Sequence, residues 1–128
     1  MKRLTATLCL TIAVLLGGVW WYEPPDFTKG YRAYNGGDYA TALRNFRPLA
    51  ERGDAGAQYY LALMYSLGKG VKEDRVYAHM WGSLAFSNGS GNNAKKLRDL
   101  DAELMTPSQI EKAERLAREC VRKKYKDC

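Results

Sequence analysis

Histidine is nearly absent from this 128-residue chain, in which His79 is the single example. A metal site built on several imidazoles is therefore excluded, and a catalytic triad would have to be assembled around His79. No Ser or Cys nucleophile lies beside it in a recognisable motif, so we predict no catalytic residue, no metal and no cofactor. The run Gly68-Lys69-Gly70 is too short for a phosphate-binding loop, which also needs a preceding strand.

Strand-like alternation of apolar and polar residues is also lacking. Apolar residues recur instead at helical spacing, and in the segment 55–67 they form one face made of Ala57, Leu61, Met64 and Tyr65. Six helices are expected, over residues 26–35, 38–52, 55–67, 74–88, 92–104 and 107–124. The sequence therefore predicts an all-α fold.

The expected helix ends carry the residue types that suit them. Gly68 and Gly70 can take positive φ and reverse the chain after the third helix. Asp74 is placed to accept hydrogen bonds from free amides of the fourth helix. Thr106-Pro107-Ser108-Gln109 has the composition of a capping box with Pro at the first helical position, so we expect the last helix to begin there.

Charge is missing between Leu4 and Tyr22, directly after the basic start Met1-Lys2-Arg3. This pattern is typical of an export signal, and we assign residues 1–22 to a signal peptide. We expect cleavage and a periplasmic or secreted bacterial protein. No clean Ala-x-Ala site is present, however, and Trp20-Trp21-Tyr22 is also typical of an interfacial aromatic belt. The alternative is an uncleaved anchor in the inner membrane that faces the periplasm, and only then would the chain contact a membrane.

A basic excess remains once residues 1–22 are set aside, because only two basic residues are lost and the formal charge falls from +6 to +4. It is concentrated near the end of the sequence, in Arg118, Arg122, Lys123, Lys124 and Lys126. Such a cluster can meet nucleic acid or anionic lipid. We favour cations that complement a helix C-terminus, and we expect no nucleic-acid partner.

A repeat with a period of 36 residues runs through the chain, since Asp38 recurs as Asp74, Ala42 as Ala78 and Gly53 as Gly89. The same shift pairs Leu49 with Ala85, Leu61 with Leu97 and Met64 with Leu100. A period in the middle thirties is typical of solenoids built from helix–turn–helix units.

The most regular stretch runs from Asp54 to Gly89. Its characteristic residues are Ala57, Leu61, Tyr65, Gly68, Gly70, Asp74, Ala78, Trp81, Ala85 and Gly89. In these residues the chain resembles the Sel-one-like repeat (SLR) family, which is related to tetratricopeptide (TPR) repeats. The resemblance implies a right-handed αα-superhelix over residues 26–125, with one complete repeat at 54–89 flanked by degenerate capping repeats at 26–53 and 90–124.

The same resemblance implies a non-catalytic adaptor that binds a protein or peptide on its concave face. We place recognition on the helix faces left over after packing, at Tyr31, Tyr34, Tyr60, Leu63 and Leu67. The alternative, of at least equal weight, is that these side chains pack on neighbouring helices. A second possibility is that this protein is a structural or inhibitory partner of a single envelope enzyme, and the sequence does not distinguish this role from that of an adaptor. The further alternative is a β-lactam-like binder or hydrolase of the cysteine-rich SLR type, but the central repeat has no cysteine.

Cys120 and Cys128 would be the two cysteines left after removal of residues 1–22, and in an exported chain they suggest one disulfide. In a straight helix, eight residues span about 12 Å, which exceeds the roughly 4.4–6.8 Å that a disulfide allows between Cα atoms. We therefore expect the last helix to stop near Lys123 or Lys124 and the chain to fold back.

Overall fold

The structure is a computed structural model, and it describes residues 22–128. The signal peptide predicted for residues 1–22 therefore lies, apart from Tyr22, outside the described residues. Within 22–128 no helix is long and apolar enough to cross a membrane. The described chain consists of six helices without strands, which confirms the predicted all-α class. These are α1 (Phe27–Asn35), α2 (Tyr39–Ala50), α3 (Ala55–Leu67), α4 (Arg75–Ser87), α5 (Asn92–Glu103) and α6 (Pro107–Arg122).

Side-chain caps explain where most of these helices begin. The carboxylate Oδ1 of Asp74 accepts a hydrogen bond from the amide of Tyr77 at 3.0 Å, as predicted. Asp54 caps α3 in the same way through the amide of Ala57, at 2.7 Å. At α6 the predicted capping box is present, with reciprocal bonds between Thr106 and Gln109. Each such cap satisfies backbone donors that the helix leaves free.

Sequence neighbours pack against one another from α1 to α5, and α6 then packs against α4. Helix α4 thus lies among α3, α5 and α6, and it carries the longest set of buried residues. Trp81 is only 3% exposed there. The core residues around it belong mainly to α2, α3 and α4, and they are Ala42, Phe46, Ala57, Leu61, Met64, Ala78, Leu84 and Ala85.

Small residues allow the helices to approach closely. Ala57, Ala78 and Ala85 have no exposed surface. At Gly30 an added Cβ would lie 2.9 Å from the ring of Phe46, so α1 and α2 could not keep this distance with a larger residue. At Gly70 a Cβ added to the backbone would lie only 2.9 Å from Cβ of Tyr39, and the φ of this residue is positive, at 73°. Glycine meets both requirements at this turn.

The 36-residue repeat has a structural counterpart in α2 and α4. Asp38 and Asp74 both cap their helices, through the amides of Thr41 and Tyr77. Ala42 and Ala78 are both fully buried. Gly53 and Gly89, which follow the two helices, have positive φ values of 87° and 101°. Equivalent residues thus perform equivalent tasks at both ends of these helices.

After α6 the chain folds back on itself, as expected. The helix ends at Arg122, and Cys128 forms a disulfide with Cys120 across a Cα–Cα distance of 5.5 Å. Lys124, Tyr125 and Asp127 all have positive φ, between 54° and 65°, and together they bring Cys128 beside the helix. The predicted disulfide and the predicted stop of the helix are therefore both confirmed.

Candidate binding surface

An aromatic cluster joins α1, α2 and α3, and Tyr60 is its centre. Its ring stacks on Phe46 with centroids 4.8 Å apart, and it meets Tyr34 edge-on at 5.2 Å and Tyr31 at 5.7 Å. Such geometries are the favourable ones for aromatic pairs. Burial raises the pKa of the Tyr60 hydroxyl, with the neighbouring tyrosines as smaller causes. Of the residues predicted for recognition, Tyr60 and Tyr34 are thus half-buried and take part in helix packing.

Several large apolar side chains of α1, α3 and α5 remain exposed. Tyr31 is 43% exposed, Leu67 54%, Leu100 59% and Leu104, directly after α5, 67%. Leu63 is half-buried on α3. We call the exposed set the odd-helix face: Tyr31, Leu67, Leu100 and Leu104. It contains two residues predicted for recognition and two leucines that the sequence analysis did not select.

Leu100 and Leu104 lie on one flank of the final turns of α5, because residues four apart share a helix face. The opposite flank carries Arg98, which packs on α4. A Cβ added at Gly82 of α4 would lie 3.3 Å from the Cβ of Arg98, and the guanidinium of Arg98 lies over the ring of Phe86. The leucine flank is therefore turned away from α4. Leucines at this spacing were visible in the sequence, but a choice limited to the first two pairs of helices passed over them.

A cation lies beside the aromatic cluster. The ammonium of Lys69 lies 5.3 Å from the ring centroid of Tyr34 and 5.4 Å from that of Tyr39. These are distances at which an aromatic ring attracts a cation. Lys69 belongs to the turn between Gly68 and Gly70, both of which have positive φ. The turn thus places a positive charge at the rim of the tyrosine cluster.

The remaining residues of the repeat pattern serve the framework. Leu61, Ala78, Trp81 and Ala85 are buried. Tyr65 stacks on Tyr77 with centroids 5.4 Å apart and accepts a hydrogen bond from Arg47 at its hydroxyl. Gly89 has positive φ after α4. These positions stabilise the helix pairs.

His79 is 5% exposed on α4. Burial lowers the pKa of its imidazole, and the charge of Arg98 acts in the same direction. Its Nδ1 lies 3.5 Å from the hydroxyl of Ser83, one turn further along the same helix. The geometry is that of a core histidine. Within residues 22–128, no group of three or more His, Cys, Asp or Glu side chains is arranged to hold a metal.

Asp101 is the polar residue that sequence analysis missed. It is only 2% exposed, and its Oδ1 accepts hydrogen bonds from Ser66 on α3 at 2.8 Å and from Arg75 on α4 at 3.2 Å. Its Oδ2 is buried and has no hydrogen-bond partner among residues 22–128. Burial is the main influence and raises the pKa of the carboxyl, although Ser66 and Arg75 oppose it. The burial of Asp101 was indicated in the sequence, because Asp101 lies four residues after Leu97 and four before Met105 and so shares their apolar helix face.

Comparison of the chain with protein-family models, with curated proteins and with solved structures gives no match. The resemblance to the SLR family therefore remains a prediction that rests on the residues of the 54–89 stretch.

Proposed function

We propose that this protein is a non-catalytic adaptor of the SLR type, which binds a protein or peptide partner through the odd-helix face. The observation that carries the proposal is the exposure of Leu67, Leu100 and Leu104, each more than half accessible, whereas the other leucines within residues 22–128 are buried or half-buried. Exposed apolar side chains mark an interaction site when they form a contiguous patch, whereas scattered single residues are ordinary. In the proposed superhelix the residues of the odd-helix face lie on one side.

The proposed architecture is a right-handed αα-superhelix in which α1, α3 and α5 line the concave side. Two features support it: successive helices pack on one another, and the equivalent helices α2 and α4 share caps, buried alanines and following glycines. In such solenoids each unit contacts its neighbours, and the inner surface is free for ligands.

Tyr31, Tyr34, Tyr60 and Leu63 extend the proposed surface from α1 to α3. Tyr31 is the exposed edge of the aromatic cluster, whereas Tyr60 and Tyr34 hold it in place through their ring contacts. An aromatic ring that is fixed before binding loses little conformational entropy when a partner docks. We therefore assign contact with the partner to Tyr31, Leu63 and Leu67, and a positioning role to Tyr34 and Tyr60.

The proposed location is the periplasm or the exterior of a bacterial cell, reached through the export signal at 1–22, with an inner-membrane anchor as the alternative. The Cys120–Cys128 disulfide supports an oxidising compartment. Cell fractionation followed by mass determination distinguishes cleavage from anchoring. Cleavage lowers the mass of the protein by that of the N-terminal segment, whereas an uncleaved anchor keeps the whole protein in the membrane fraction.

The test of the adaptor proposal is capture of partners from an envelope extract with matched variants. Leu67→Asp and Leu100→Asp place charge on the odd-helix face, whereas Val121→Asp changes a residue on α6 that is similarly exposed, at 53%. We expect partners held by the wild type and by Val121→Asp to be lost from both leucine variants. Retention of the same partners by folded Leu67→Asp and Leu100→Asp proteins would refute the assignment of this face.

A further inference from the structure

The residues that follow α6 border a groove on the side of the molecule formed by α2, α3 and α4. We call residues 123–128 the return segment. Cys128 forms one wall of this groove of about 170 Å³, whose other lining residues are Arg47, Glu51, Tyr65, Tyr77 and Trp81, together with Leu61. Tyr125 and Cys128 also pack against the hydrophobic core. These residues come from three helices that meet around the core. The return segment therefore covers aromatic surface that would otherwise be open.

Tyr125 is the second point of attachment of the return segment. Its ring lies against Gly53, where an added Cβ would be 3.2 Å away, and its hydroxyl donates to Oδ1 of Asn88 at 3.1 Å. Asn88 in turn donates to Oε1 of Gln58 at 2.9 Å, and the buried Gln58 donates to the carbonyl of Ala50 at 3.1 Å. A line of hydrogen bonds thus runs from the return segment to the α2–α3 turn.

The backbone of the return segment is strained. Lys124, Tyr125 and Asp127 have φ values of 54°, 65° and 54°, in the left-handed region where side chains other than glycine are disfavoured. Three such residues among six persist only when surrounding structure holds them. The covalent link between Cys128 and the buried Cys120 is the strongest constraint that does so.

We propose that the Cys120–Cys128 bridge is a redox-sensitive latch that holds the strained return segment in its groove. Reduction by a dithiol releases the segment and uncovers Tyr65, Tyr77 and Trp81. Because the latch lies on the α2–α3–α4 side and involves no residue of the odd-helix face, it stands independently of the proposed adaptor function.

The chemistry is thiol–disulfide exchange with a dithiol reductant. One reductant thiolate attacks Sγ of Cys128, which is less buried than Cys120, and forms a mixed disulfide. Cys120 leaves as a thiolate and takes up a proton. The second thiol of the reductant then closes its own disulfide and releases Cys128 as a thiol. Two electrons pass to the protein, and the reductant is oxidised to its disulfide.

Hydrogen exchange of the full chain measures the latch. All samples carry Cys9→Ser, which removes the third cysteine and leaves the bridge intact. On reduction with dithiothreitol we expect at least about tenfold faster exchange at the amide of Tyr125, which donates to the carbonyl of Cys120 at 2.8 Å, and faster exchange around Gly53. The amides of α1 and α5 are expected to keep their protection.

A second variant, Cys128→Ser, removes the bridge without reductant and is expected to show the same local pattern, with no further change when dithiothreitol is added. Two outcomes overturn the proposal. Exchange at Tyr125 that stays within about twofold of the oxidised protein shows that packing alone holds the segment. Loss of protection throughout all six helices, in the reduced protein or in Cys128→Ser, shows that the bridge is a structural staple.

Discussion

Helices α3 and α5 occupy equivalent places in the 36-residue repeat, yet the protein holds them by different means. Met64 on α3 has no exposed surface, whereas its equivalent Leu100 on α5 is 59% exposed. Helix α3 has a side-chain cap from Asp54, whereas Gly91, which precedes the first residue of α5, has no side chain to cap it. The same repeat unit is thus a core element in one copy and a peripheral element in the next.

The packing of α6 explains the difference. Helix α3 has α2 on one side and α4 on the other, so that its apolar residues other than Leu67 are buried or half-buried. Helix α6 packs chiefly on α4, and the outer flank of α5 is left facing solvent. Helix α5 is instead fastened by Ala94 and by the buried Asp101, which receives hydrogen bonds from Ser66 and Arg75. A terminal repeat that is held by polar contacts can keep its leucines for a partner.

The largest effect is expected on α4, the helix against which both α3 and α5 pack. Trp81 of α4 is 3% exposed at the centre of the core. Trp81→Ala should lower the free energy of unfolding by about 3–5 kcal/mol, the usual cost of emptying a large aromatic site. Denaturant unfolding followed by circular dichroism measures it. An unchanged midpoint would show that α3 and α5 are not supported through α4.

Truncation to alanine at two positions 36 residues apart compares α3 directly with α5. Met64→Ala should cost about 2–5 kcal/mol, because it leaves a cavity beside Gly70 and the core. Leu100→Ala should stay within about 0.5 kcal/mol of the wild type, because its side chain is already largely hydrated.

Both variants are measured by denaturant unfolding under the same conditions. Similar losses at the two positions would contradict the comparison, since they would place Leu100 in a packed environment. A small loss at Met64 would contradict it as well, because α3 would then be no more enclosed than α5.

Much of the architecture followed from local patterns. The predicted bounds of all six helices lie within two residues of those observed, because caps such as Asp74 and Thr106 and turns such as Gly68 act over a few residues. The disulfide was also predictable, since helix geometry and the reach of a disulfide leave one solution near Lys123. These features depend on short stretches of chain, which the sequence specifies directly.

Features that depend on several helices at once were not predictable. Tyr60 was selected for a free face, and the ring contacts that half-bury it come from α1 and α2. Asp101 was overlooked, because its burial depends on Ser66 and Arg75 reaching it from two other helices. The spacing of Leu100 and Leu104 was visible in the sequence, but their exposure was not, because it follows from α6 packing on α4.

The smallest expected effect is a difference in pH dependence between the stability contributions of two nearby carboxylates on α5, those of Asp99 and Asp101. Burial raises the pKa of Asp101, so its folded form binds a proton more readily than the unfolded chain. Its contribution to stability is therefore fully present below the ordinary pKa of an aspartate and is lost as pH rises through the raised value. Asp99 behaves oppositely, because hydrogen bonds from Lys95 and Arg98 lower its pKa.

Asp101→Asn and Asp99→Asn, each compared with the wild type by urea unfolding between about pH 7 and pH 3, measure this contrast. As pH falls, the wild type should gain stability relative to Asp101→Asn. Relative to Asp99→Asn it should instead lose stability, and only in the acid range below the ordinary aspartate pKa. Differences that move in the same direction for both variants would mean that Asp101 is hydrated like Asp99 and does not fasten α5 from within the core.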